Sequence, residues 1–91
     1  MARRQQNRWS RKLPRIVVTS DGFTLGTLAE ASAYMLTLPE GIQLRPYWQH
    51  AAKLVMEAAG GGDITAATDQ IALALLLDGR LNLRATPVSE K

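Results

Sequence analysis

The stretch RIVVTSDGFTLGTLAEA, residues 15–31, changes its apolar period part-way along, and that change decides the fold. Ile16, Val17, Val18 and Thr19 are β-formers. Asp21-Gly22 is a short turn signal, and Phe23 to Leu25 can return as a second strand. Beyond Gly26 the spacing becomes helical. Thr27 and Glu30 have the separation of a capping box, in which the threonine oxygen accepts from the backbone N–H of residue 30 and the glutamate reaches back toward residue 27. Two strands alone are marginal in water, so the hairpin must lie on helices.

Three helices are predicted. In the first, Leu28, Ala31, Met35 and Leu38 share one side with Tyr34 at its edge, and Pro39 and Gly41 stop it. The second follows Pro46, which suits a first turn, and carries Tyr47, Trp48, Ala51, Leu54, Val55, Ala58 and Ala59 on one face before residues 60–62, all glycine, end it. The third starts at Asp63, a plausible N-cap, turns Ile64, Ala67, Ile71, Ala74 and Leu75 inward, and stops at Gly79. Leu81 and Leu83 alternate around Asn82, so residues 81–83 can add a third short strand. The expected architecture is α+β and mainly helical: a three-helix domain with a short N-terminal β-hairpin.

Ninety-one residues make one domain with one modest core. Its stability should be about 5–9 kcal/mol. Residues 1–14 show no apolar periodicity and read as a basic flexible tail. Residues 15–86 read as the globular unit and 87–91 as a flexible C-terminus.

The charge is unevenly placed. MARRQQNRWSRKLPR, residues 1–15, holds Arg3, Arg4, Arg8, Arg11, Lys12 and Arg15, with Trp9 among them and no acid. That head carries +6, and the remainder of the chain carries −3. A solvated tail is its simplest reading. Contact with nucleic acid through residues 1–15 is the alternative, with an acidic protein or membrane surface third. Six phosphate contacts would give a log–log salt slope of roughly −5.

Chemical tools are few. The chain has no cysteine and one histidine, His50, so neither a thiol nucleophile nor a zinc ligand set is suggested. The serines lack a nucleophile-elbow context. GGGD, residues 60–63, precedes a helix, but no lysine follows as it would in a phosphate loop. Tyr47 and Trp48 read as core, and His50 as a boundary residue with a structural hydrogen bond. The third helix carries no basic residue, which argues against a groove-reading helix. No catalytic residue, metal or cofactor is expected. The longest apolar run, residues 71–77, is far short of the roughly 20 residues of a bilayer span, and the apolar stretch of a signal peptide is missing behind the basic head. A cytoplasmic location is the default.

The third helix is too apolar for one buried face. Leu73, Leu75, Leu76 and Leu77 project around nearly its whole circumference, and a helix apolar on all sides must be covered on all sides. Either the hairpin wraps it, or Leu73, Leu76 and Leu77 contact a second copy or another protein.

From about Thr19 to Arg84 the blocks SDGFTLGTLAEASAYMLTLP (20–39), WQHAAKLV (48–55) and ATDQIALALLLDGRL (67–81) resemble a group of short bacterial proteins, mostly alphaproteobacterial. The blocks cover about two-thirds of the chain, and the basic head lies outside them. The resemblance implies no activity, cofactor or catalytic residue. The function expected from the sequence is that of a small non-enzymatic interaction or regulatory protein.

Overall fold

The computed structural model describes residues 8–85. What is expected of residues 1–7, including Arg3 and Arg4, and of residues 87–91 lies outside the described residues. The fold is α+β: a two-stranded antiparallel hairpin precedes four helices. In chain order these are β1 (Lys12–Val18), β2 (Thr24–Thr27), α1 (Leu28–Leu36), α2 (Glu40–Gln43), α3 (Pro46–Ala59) and α4 (Ile64–Leu77). No described helix is long and apolar enough to cross a membrane.

The hairpin pairs Val17 with Leu25 and Val18 with Thr24, and a bulge follows before Lys12 meets Thr27. Leu13, Val17 and Leu25 point inward and are buried. The connection is longer than the two-residue turn suggested by Asp21-Gly22. It spans residues 19–23 and is closed by Thr19, whose N–H donates to the Phe23 carbonyl and whose Oγ1 accepts from the Phe23 N–H. The capping box at α1 forms with one change. Glu30 N–H donates to Thr27 Oγ1 at 3.1 Å, but Glu30 Oε1 accepts from Gly26 N–H, one residue earlier than expected.

On α1 the expected roles of Tyr34 and Met35 are exchanged. Tyr34 is buried and Met35 only partly so. The hairpin loop explains this: the Phe23 ring meets Tyr34 edge-on at 5.4 Å, and Asp21 accepts the Tyr34 hydroxyl at 3.2 Å. The phenol body is thereby covered while its polar tip keeps a partner. The stop at Pro39 holds, but a further short helix, α2, follows it. Gln43 secures that turn by donating to the Leu38 carbonyl at 2.7 Å.

The last two helices end alike. After α3, Gly61 takes φ +106°, Gly61 N–H bonds to Ala58 O and Gly62 N–H to Glu57 O. After α4, Gly79 takes φ +69°, Gly79 N–H bonds to Leu76 O and Arg80 N–H to Leu75 O. Both are Schellman motifs, which need a left-handed residue that glycine adopts without steric cost. Between the two helices, Ala51, Ala58 and Ala59 of α3 and Ala67 and Ala74 of α4 are buried, so small side chains let the backbones approach closely. The expected third strand is reduced to one bridge, Thr19 to Leu81. Asn82 Oδ1 then accepts from Arg84 and Ala85 N–H and turns the chain away.

The folded unit also begins earlier than residue 15. Arg8 N–H donates to Ala59 O at 2.7 Å, and Arg11 Nη1 donates to Ala58 O and Gly62 O at 2.8 and 2.9 Å. These acceptors include last-turn carbonyls of α3, which has no basic residue of its own in that turn. The Arg8 backbone N–H and the Arg11 guanidinium therefore fill its C-terminal end, where the positive charge of Arg11 is favourable. Trp9 packs against the core, and Leu13 is part of it. Residues 8–14 read as tail in the sequence because their partners lie well outside the segment, on Thr27 to Ala29 and on Ala58 to Gly62.

A chain starting at Leu13 is expected to fold with α4 intact. It loses these caps and the Trp9 contact, so its thermal midpoint should fall by more than about 10 °C relative to the full chain. Circular dichroism melting measures it.

Candidate functional site

The outer face of α4 groups three exposed large apolar side chains on one helix. Leu73, Leu76 and Leu77 are 45%, 50% and 57% exposed. At 100° per residue they fall opposite Ala67, Ile71, Ala74 and Leu75, all fully buried. The hairpin and the Leu81 bridge do not wrap the helix. Asp69 borders the leucines one turn earlier and is paired with Arg15 at 2.8 Å.

A second apolar surface lies elsewhere. A cavity of about 210 Å³ opens between α1, α2, α3 and Trp9. Its walls include Trp9, Met35, Leu38, Trp48, Val55 and Met56, and no charged side chain lines it. Nothing in the chain's local periodicity marked this groove, because its walls come from three helices and Trp9, which are distant from one another in sequence.

The head residues have separated into distinct roles. Arg11 is committed to α3 carbonyls and Arg15 to Asp69. Trp9 is partly buried, and Arg8 and Lys12 are exposed. Among the described residues, two of the four head cations, Arg11 and Arg15, hold the fold together.

His50 is exposed on α3, and among the described residues its side chain makes no hydrogen bond, contrary to the structural bond expected of it. No group of three or more histidines and carboxylates among the described residues is placed to hold a metal ion. Trp48 is buried as expected, and its indole leads to the polar centre that sequence reasoning missed.

That centre is Asp78. Its side chain is 2% exposed and accepts from three donors: Tyr47 Oη, Trp48 Nε1 at 2.7 Å and Arg45 Nη1 at 2.6 Å. Burial pushes the Asp78 carboxyl up, but the hydrogen bonds from Tyr47, Trp48 and Arg45 outweigh it and hold the group below its ordinary value. One signal was available in the sequence. A carboxylate at a helix C-terminus faces the negative end of the dipole and is unfavourable there without partners. RPYW, residues 45–48, supplies them.

The chain matches no protein-family model, and neither a curated protein nor a solved structure shows significant similarity to it.

Removing the Asp78 carboxylate strands the buried Trp48 donor, so Asp78→Ala should destabilise by about 3 kcal/mol in denaturant unfolding. Arg45→Ala should destabilise less than Asp78→Ala, because Tyr47 and Trp48 still donate to the carboxylate left without its cation. Acid supplies a separate test. A carboxyl whose folded-state pKa is depressed stabilises above its unfolded value, about 3.9 for aspartate, and loses that contribution as pH falls through the folded value. Stability of the wild type should hold from pH 7 to about 5 and fall below about 4. In Asp78→Asn this acid-dependent loss should shrink.

Proposed function

We propose that this protein is a non-catalytic interaction domain that self-associates through the outer face of α4. The observation that carries the reading is the exposure of Leu73, Leu76 and Leu77 together on one helix face. Leu73 and Leu77 are one turn apart and Leu76 lies beside them, so the three form a ridge that another helix can pack against. Their helix is well anchored on its other side, so the ridge is presented rigidly. A two-fold axis would set α4 of one copy against α4 of another, burying the same patch twice. The Asp69–Arg15 pair would lie at the edge, where polar groups commonly rim an apolar contact. A cysteine-free chain of this kind suits a reducing, cytoplasmic setting.

Nucleic-acid contact through the head is the lesser reading. What favours it among the described residues is the exposure of Arg8 and Lys12, while Arg11, Arg15 and Trp9 are engaged with the body.

Sedimentation equilibrium tests the reading. The wild type should gain mass with concentration in the micromolar range. Replacing Leu73, Leu76 and Leu77 together by glutamine should leave a monomer with unchanged helical circular dichroism. A wild type that stays monomeric at several hundred micromolar removes self-association.

A further inference from the structure

Residues 8–11 cross the ends of two helices. At the C-terminal end of α3, Arg8 N–H and the Arg11 guanidinium fill the carbonyls of Ala59, Ala58 and Gly62. At the N-terminal end of α1, Leu28 N–H donates to Arg11 O at 3.0 Å and Ala29 N–H to Trp9 O at 2.9 Å. One short segment therefore supplies acceptors to orphan N–H groups of one helix and donors to orphan carbonyls of another.

The means of attachment differ from those of the body. Trp9 is the one large apolar side chain of the segment, and it is only partly buried. Arg8 and Ser10 are exposed. The segment is held mainly by hydrogen bonds at helix ends, which exchange for water at small net cost. The body is held by fully buried Val17, Leu28, Trp48, Ile71 and Leu75, whose opening exposes apolar surface. Releasing four residues also returns backbone entropy. Trp9 forms one wall of the cavity that Met35, Val55 and Met56 also line.

We infer that residues 8–11 are a releasable clasp: they open as a unit while the body stays folded, and opening withdraws the Trp9 wall and widens the apolar groove between α1 and α3. Access to that groove is set by the clasp.

Amide hydrogen exchange on the full chain, resolved by residue, tests this. The Arg8, Leu28 and Ala29 amides should exchange together and at least about tenfold faster than Ala74 and Leu75 in the middle of α4. Arg11→Gln should speed the first set by about a further tenfold and leave the α4 set unchanged. Arg11→Lys, which keeps the charge without the planar fork, should fall between. Binding of the apolar dye anilinonaphthalene sulfonate should rise severalfold in Arg11→Gln. Clasp amides that exchange at the α4 rate overturn the inference, as does an Arg11→Gln effect that is equal on both sets or absent from the clasp set. Failure of Arg11→Gln to fold overturns it too, because a releasable clasp is dispensable to the body. Unchanged dye binding overturns its link to the groove.

Discussion

Asp78 fixes how α4 is turned, and most of the molecule follows from that. Hydrophobicity alone leaves the rotation of α4 weakly specified, because leucine or alanine stands on every side of its last two turns. Turning the helix by one residue swings each side chain through 100° and would exchange one set of leucines for another at little apolar cost. It would also carry Asp78 away from Arg45, Tyr47 and Trp48. A buried carboxylate without those donors is expensive, so the polar contact selects the rotation in which Leu75 is inside and Leu73 and Leu77 are outside. The same contact sets the charge at the end of α4 beside the first turn of α3, whose positive end has no side-chain cap of its own. Gln70 adds a second tie by donating to the Tyr47 carbonyl at 3.1 Å.

With α4 held, the alanines of α3 and α4 bring the two helices close, and the ends of α3 become the points at which other segments attach. Its N-terminal turn serves Asp78. Its C-terminal turn receives Arg8 and Arg11. The positive head is thus partly structural. Its charge asymmetry with the rest of the chain reflects in part where α3 needed cations, since neither its own last turn nor the glycine run after it supplies any.

Features that depend on near neighbours in sequence were legible. Thr27 capping residue 30, Asp63 capping Ala66, and the glycine stops after α3 and α4 are all contacts within a few residues. The inner face of α3 was legible for the same reason, since helical period alone orders it; on α4 the period marks Ala67 and Ile71 against Asp69 and Gln70, but the last two turns are apolar on every side. Features that need a distant partner were hidden. Nothing near Tyr34 indicates that the hairpin loop will cover it, and nothing near Arg11 indicates α3 carbonyls 47 residues away. The leucine ridge was legible as an excess, because one helix carried more apolar side chains than one face could bury. The groove was not, because its walls come from Trp9 and three separate helices.

The two apolar surfaces are unlike in one respect that bears on association. Trp9 already closes part of the groove, whereas no described segment lies over Leu73, Leu76 and Leu77. A mildly acidic body should resist meeting its own copy, yet the repulsion between exposed charges is largely screened beyond about 8 Å at physiological salt. Only charges at the contact itself would count. Within α4 the sole charged residue is Asp69, and Arg15 already neutralises it at 2.8 Å. Asp78, just past the helix end, is turned inward and partnered. Two α4 faces can therefore approach without an uncompensated charge between them, and the apolar gain of covering six half-exposed leucines is opposed mainly by the entropy of association.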